Sequence, residues 1–435
     1  MTQSTKKQQY SKYKLTHIDW IGEIPEDWGK WKISHLFKVD RWRVIDKTQI
    51  SVDQNNDQIY PVFSSQTQNN WCLWYIETYD YDKDSITWTT DWANAGSVFY
   101  RQGKFNATNV CWILTMINKN QSYEYLTYCI RVAALNNRRV DILWYKLMSN
   151  EMASIRIPLP PLTEQQSIAN YLDDKTTKID EAISLKKNQI ELLKEKRTAM
   201  INQAMTKWLD PNAEMIESGI EWIGKIPKGW EIKKLKRELK ILTDFTANWS
   251  FADLAKNVNY LDDWYSRLVR LTDLRVNLEN TGIYVDENAH NYLKKSELFW
   301  WEILIANVWA HAWFVCKMPK GKFKCTLWPN MYLLRFKDNI DNDFIYYSLI
   351  STYAHEQILL NATSTAQPKL NKDDVKDIII LVPKNVEQQR IVEYIGSKTS
   401  QIDQTITTVQ HSIDLLLEYK QSLISHVVTG KVKVF

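Results

Sequence analysis

Pro158-Leu159-Pro160-Pro161-Leu162-Thr163-Glu164-Gln165-Gln166-Ser167-Ile168-Ala169-Asn170-Tyr171 is the stretch on which the reading of this chain turns. The prolines end one element. Thr163, with Gln166 three residues on, offers a capping box that starts a helix. No proline or glycine follows before Pro211, so the helix runs long. Leu172, Ile179, Leu193 and Met200 fall on one heptad position, Lys186 being the exception, with Ile183 and Ile190 on a neighbouring line. An apolar stripe at this spacing wants a helical partner. At about 42 residues the helix would span roughly 63 Å.

The partner lies further along the same chain. Glu164-Gln165-Gln166-x-Ile168-x-x-Tyr171 returns as Glu387-Gln388-Gln389-x-Ile391-x-x-Tyr394, displaced by 223 residues (Glu164 to Glu387). Ile395, Ile402, Val409, Leu416 and Leu423 continue its register, with Ile406 and Ile413 beside them, and Asn385 and Gln388 offer a similar cap. A folded domain separates the two helices in sequence, so antiparallel pairing is expected. Upstream, Trp20-Ile21-Gly22-x-Ile24-Pro25-x-x-Trp28 returns as Trp222-Ile223-Gly224-x-Ile226-Pro227-x-x-Trp230, displaced by 202 residues (Trp20 to Trp222). The stretches between these phrases do not repeat.

The expected fold class is α+β. Two mixed α/β domains are joined by two long helices that form an antiparallel intramolecular coiled coil, with a pseudo-twofold internal repeat. The boundaries read as an N-terminal tail (1–16), a first domain (17–160), a central helix (163–207), a linker (208–221), a second domain (222–384), a C-terminal helix (385–429) and a tail (430–435). Ile86-Thr87-Trp88-Thr89 and Ser97-Val98-Phe99-Tyr100 read as strands around a turn at Asn94-Ala95-Gly96. Glu302-Ile303-Leu304-Ile305 and Met331 to Phe336 are strand-like, and Phe344 to Leu349 reads as a short helix.

At 435 residues the chain has room for two to four cores. A net charge of +4 is too weak to establish a nucleic-acid partner and leaves room for local basic patches. The first dozen residues lack the apolar core of a signal peptide. The longest mostly apolar run, Ile303 to Cys316, is too short to span a bilayer. Five cysteines, odd in number and without a CxxC pair, fit a reducing cytoplasm better than a disulfide framework or a zinc site.

Catalytic machinery is missing from the sequence. There is no GxxxxGK[ST] loop, no Asn-Pro-Pro-aromatic methyltransferase motif and no HExxH. Seven scattered histidines show no metal spacing. A binding or organising role therefore outranks catalysis, and no catalytic or metal-ligating residue is assigned.

Glycine is scarce and tryptophan abundant, at 11 and 20 residues. Asn70-Trp71, Asn248-Trp249, Asp91-Trp92 and Asp263-Trp264 look like Asn-Gly and Asp-Gly turns with a bulky second residue. Trp300-Trp301, Trp309 and Trp313 repeat the oddity. Some bacterial genetic codes read UGA as glycine and others as tryptophan, and a UGA codon read under the wrong one would give this pattern. Trp20, Trp28, Trp222 and Trp230 match between the copies and belong.

Basic residues come in small clusters. Arg41, Arg43, Arg101, Arg138 and Arg139 lie in the first domain, and Arg267, Arg270 and Arg275 in the second. Arginine can sit bidentate on guanine, and polar loops carrying Ser64 and Gln66, or Thr363, Ser364, Gln367 and Lys369, suit base edges and phosphates.

Together these features resemble the specificity subunit of Type I restriction–modification systems (HsdS), from about Trp20 to Phe435. The resemblance rests on the two Trp-Ile-Gly phrases, on Pro158 to Gln166 with its echo at Pro383 and Glu387-Gln388-Gln389, and on Tyr60-Pro61-Val62-Phe63-Ser64. Thr365-Ala366-Gln367-Pro368-Lys369-Leu370 and Thr429-Gly430-Lys431-Val432 add to it. It implies two target recognition domains, each reading half of an asymmetric bipartite site in double-stranded DNA. It also implies helices that set the gap and dock two methyltransferase subunits, to which restriction subunits can add. S-adenosylmethionine, ATP and magnesium would belong to those partners, and none to this chain. Where relatives tend to carry glycine, this chain has Trp42, Trp74, Trp92, Trp264, Trp301 and Trp309. The alternatives are a coiled-coil scaffold joining two protein-binding domains, and an enzyme with unrecognised catalytic residues.

Overall fold

Each half of the chain builds the same central sheet from different sequence. The structure, a computed structural model, describes residues 9–434 other than 42–44, 66–71, 92, 119, 142–143, 208, 210–211, 222, 245–250, 264, 308–313, 321–323 and 362–369. It divides into two units, one of Met1–Lys187 with Gln410–Phe435, the other Asn188–Val409.

In the first unit, Phe37–Asp40, Cys111–Met116, Ser85–Thr89 and Val98–Arg101 form an antiparallel sheet in that order. Ser85–Thr89 is buried at every position, so its threonines need internal partners; Thr87 Oγ1 accepts from Arg101 Nε at 3.2 Å. The helix Tyr123–Asn137 starts at Ser122, whose hydroxyl accepts from Tyr125 N. A second sheet orders Asn106–Ala107, Tyr60–Phe63, Cys72–Ile76 and Ile50–Ser51, its first pair parallel.

In the second unit the corresponding sheet is Leu239–Asp244, Met331–Phe336, Ile303–Ala306 and Val315–Lys317, again antiparallel. The expected strands and the helix Asn342–Ile350 are present within a residue or two. Its second sheet is built differently, as Ile283–Val285, Ser266–Val269, Lys324–Leu327 and Glu297–Leu298 with a parallel central pair. The common core is thus the four-stranded antiparallel sheet, and the inserts carry the divergence.

The repeated phrases fold alike. Thr16 N donates to Gly22 O and Ser218 N to Gly224 O, both at 2.9 Å. Gly22 and Gly224 take φ of 73° and 69°, a conformation that favours glycine. Tyr13–Leu15 pairs with Glu23–Pro25, and Met215–Glu217 with Lys225–Pro227. Two stretches read from sequence as tail and linker therefore contribute strands. Trp28 is buried against Pro25 and Gly430, where a Cβ on Gly430 would lie 2.4 Å from the Pro25 ring. Trp230 packs on Ile201, Ala204 and Met205.

The long helices are Leu162–Lys207 and Asn385–Val428. The first begins one residue before the expected capping pair, and Ser167 donates to Thr163 O inside it, so the Thr163–Gln166 box is not formed. Gln165 does the local work instead. Its Oε1 accepts from Ser122 N at 3.0 Å and its Nε2 donates to Pro160 O at 2.8 Å. Gln388 repeats this with Asp341 N at 3.1 Å and Pro383 O at 2.9 Å. Each glutamine ties the start of a long helix to the cap of its unit's short helix.

Heptad positions meet as the stripe requires. Leu172, Ile179, Ile183, Ile190, Ile395, Ile402, Val409, Ile413 and Leu423 are buried. Leu193, Met200, Ile406 and Leu416 are half-buried. In the first unit Lys420 reaches Asp180 at 2.7 Å. In the second, Arg197 reaches Asp403 at 3.4 Å. Residue numbers rise along one helix as they fall along the other, so the helices run antiparallel.

Candidate nucleic-acid interface

Burial sorts the basic residues. Arg101 is 5% exposed on Val98–Arg101, its guanidinium 3.6 Å from the Phe63 ring centroid. Burial pulls its pKa down to about 10, against the influence of the Cys111 and Cys72 sulfurs. Arg267, 3% exposed, donates to Leu278 O at 2.8 Å and to Asn280 O at 3.1 Å. Arg270 binds both oxygens of the fully buried Asp273, at 2.7 to 3.2 Å, and donates to Thr281 O. Burial opposes ionisation of Asp273, yet hydrogen bonds from Arg270 and Asn280 outweigh it and hold the carboxyl below its ordinary range. Ser64 is buried and accepts from Thr108 at 3.0 Å. Arg101, Arg267 and Ser64 therefore hold loops and strands in place rather than presenting a surface, and half-buried Arg270 is fixed on Asp273. Sequence could not separate them, because arginine spacing is the same on a wall and on a face.

Of the candidate arginines, three that are described are exposed. Arg41 is exposed, its carbonyl taking a hydrogen bond from Tyr81 at 2.9 Å. Arg139 is exposed and pairs with Glu151 at 2.8 Å. Arg275 is exposed, 5.9 Å from the Phe314 ring centroid. Half-buried Arg138 lies 3.8 Å over the Tyr145 ring. Arg43, Gln66, Thr363, Ser364, Gln367 and Lys369 lie outside the described residues.

Two features escaped the sequence. Lys104 Nζ lies 4.2 Å from the Tyr79 ring centroid and 5.7 Å from that of Tyr60. Tyr60 opens the strand Tyr60–Phe63 while Tyr79 and Lys104 lie in separate loops, so the group leaves no local signal. The other is a two-stranded hairpin, Arg139–Asp141 with Trp144–Lys146. Leu147 N anchors its base on Thr90 O at 2.9 Å. In the second unit Leu370 N binds Asn307 O at the same distance. A short helix follows each anchor, with Glu151 on Met148 N in one and Asp374 on Asn371 N in the other. The hairpin thus occupies the slot that residues 362–369 fill in sequence.

Surface clefts differ in sign between the units. One of about 460 Å³ beside Met116 is lined by Asp82, Lys83, Asp84, Gln121 and Tyr123. One of about 420 Å³ beside Phe336 is lined by Lys240, Arg335 and Lys337 together with Glu302 and Asp338, so its excess is a single positive charge. Among the described residues no group of three His, Cys, Asp or Glu is placed to hold a metal ion. No described helix is long and apolar enough to cross a membrane.

Of the tryptophans at suspected glycine positions, Trp301 takes φ 78°. Trp74 sits in the strand Cys72–Ile76 at an ordinary φ and does not require glycine there. Trp42, Trp71, Trp92, Trp249, Trp264, Trp309 and Trp313 lie outside the described residues.

The Type I restriction modification DNA specificity domain profile matches residues 25–194 and again 227–416. A type I specificity subunit N-terminus of Mycoplasma pneumoniae is 40% identical over 143 residues, covering 33% of this chain and 75% of that one. The MpnII restriction enzyme specificity subunit of the same organism is 34% identical over 167 residues, covering 37% of this chain and 49% of that one. A chain solved in work on complex assembly and conformational transition of the type I R-M system superposes with a TM-score of 0.66 at 12% identity. That match covers 93% of this chain and 98% of the other, and it speaks to fold.

Proposed function

The chain belongs to the Type I restriction–modification DNA specificity family, and from that membership we propose that it is the specificity subunit of a methyltransferase–restriction complex. Each unit reads one half of a bipartite DNA site. One observation carries the reading: the same frame, including Gln165 and Gln388 in identical roles, surrounds two different inserts. A matched frame serves like partners; unlike inserts serve unlike half-sites.

The helices set the unspecified gap and dock two methyltransferase subunits, with restriction subunits as further partners. Helix Leu162–Lys207, 46 residues long, extends roughly 69 Å, more than one DNA turn of about 34 Å. Catalysis belongs to the partners, which would bring S-adenosylmethionine, ATP and magnesium, and the complex would work in the cytoplasm. The residues of this chain supply sequence choice and spacing.

The test is methylome sequencing of a host carrying this chain with its methyltransferase subunit. The expected result is a two-part adenine-methylated motif of unlike halves and fixed gap. A continuous motif, or none from an assembled complex, overturns the proposal.

A further inference from the structure

We infer that the hairpin Arg139–Asp141/Trp144–Lys146 is the element with which the first unit reads base edges. The inference rests on the DNA-specificity reading above and adds to it a named element. The hairpin is a two-stranded sheet of its own. Cross-strand pairing sets Arg139 opposite Lys146, Val140 opposite Tyr145 and Asp141 opposite Trp144. Side chains alternate between faces. One face therefore carries Val140 and Tyr145, and the other Arg139, Lys146, Asp141 and Trp144. Val140 is 73% exposed and Trp144 47%.

Two strands alone are marginally stable in water, and the base of this hairpin is held accordingly. Arg138 covers Tyr145, Glu151 pairs with Arg139, the backbone of Lys146 forms an antiparallel β-bridge with that of Asp91, and the carbonyl of buried Leu147 accepts from the Trp88 indole N–H at 3.1 Å. The held base leaves Val140 in water, which an isolated structural staple would not need. A two-stranded ribbon fits the major groove, about 12 Å wide, where arginine reads guanine and an apolar side chain meets the thymine methyl. Arg139 and Lys146 are each held on a carboxylate, Glu151 and Asp141, at 2.8 Å, so the ribbon's charge is balanced, and its shape and exposed side chains, not its net charge, carry the fit.

The repeat decides between DNA and protein as the occupant. The slot's flanks match, with Lys146-Leu147 against Lys369-Leu370. Its contents do not: Val140, Asp141 and Trp144 stand where the second unit has Thr363, Ser364 and Gln367. Two like partner subunits require like surfaces, whereas two unlike half-sites require unlike ones.

The test uses the full chain assembled with its methyltransferase subunit, comparing the unaltered chain with Arg139→Ala and Val140→Ser by methylome sequencing. Both side chains are exposed, and an unchanged thermal transition and gel-filtration profile will show that folding and assembly persist. The expected result is a loss of about tenfold or more in methylation at the original site, with relaxed base preference in one half of the motif only. Unchanged motif and rate in both variants overturns the inference while leaving the bipartite reading intact. Loss of assembly with the methyltransferase subunit also overturns it, giving the face to a protein partner. A continuous motif from the unaltered chain removes the bipartite reading and this inference with it. Should Val140→Ser unfold the unit, Arg139→Ala alone decides.

Discussion

Replacing Trp301 separately by glycine and by alanine isolates what its backbone costs. Trp301 has φ 78° and is 43% exposed beside Trp300. Either substitution removes the indole and the apolar contact it makes, so that loss cancels in the comparison. What remains is the Cβ. In the left-handed region a Cβ crowds the following carbonyl at about 1–2 kcal/mol, while glycine forfeits roughly 0.5–1 kcal/mol of backbone freedom. The net favours Trp301→Gly over Trp301→Ala by about 0.5–1 kcal/mol, or a few degrees in Tm for a unit of this size. The same pair at Trp300, which has an ordinary φ, should reverse the order, since an unfolded chain with alanine there has less freedom to lose on folding than one with glycine. Thermal unfolding followed by circular dichroism measures all four variants. Trp301→Ala as stable as Trp301→Gly refutes the strain argument, and with it the case that turn chemistry asks for glycine at this position.

Four further outcomes are expected. Asp273→Asn should cost about 3 kcal/mol near neutral pH. Because the folded carboxyl is held below its ordinary value, that stabilisation is present above about pH 4 and fades as pH falls through the folded pKa; a urea-midpoint difference equal at pH 3 and pH 7 would contradict it. Gln165→Leu leaves Ser122 N–H buried without its acceptor and should cost about 1–3 kcal/mol, with Gln388→Leu matching it through Asp341 N–H; a negligible effect of either breaks the equivalence. Ile413→Ala, at a site 3% exposed, should cost about 2–5 kcal/mol, whereas Leu415→Ala, 51% exposed, should stay within about 0.5 kcal/mol. Removing one heptad from each long helix shortens it by about 10 Å, so the methylated motif should lose gap bases or the complex should fail to assemble; an unchanged gap after two heptads would end the ruler argument.

The frame was legible because its physics is periodic and repeated. A heptad stripe such as Ile395, Ile402 and Val409 has one economical solution, and its burial follows from spacing alone. The cap of the first helix was misread because Thr163 and Gln166 satisfy a local rule that a tertiary contact overrides. Gln165 reaches Ser122, 43 positions away, and no local rule sees that. The candidate interface was less legible for a related reason. Arg267 and Arg275 look alike in sequence, but one lies behind the loop Leu278–Asn280 and the other faces water. Arg138 and Arg139 stood out only as basic residues; the hairpin around them is identified by the matching anchors of Leu147 and Leu370. The second sheets could not be foreseen, because their pairings join segments distant in sequence that have no counterpart in the other unit.

Gly430 against Pro25 has a consequence for the order in which the protein is made. The second unit is one unbroken segment, complete once Val409 has left the ribosome. The first unit needs residues 410–435 to cover Leu172, Ile179 and Ile183 and to seat Trp28. At about 5–20 residues per second, synthesis of residues 188–409 occupies roughly 10–45 s. Through that interval the older half of the chain waits with its helix stripe uncovered. The part synthesised first is the part that folds last.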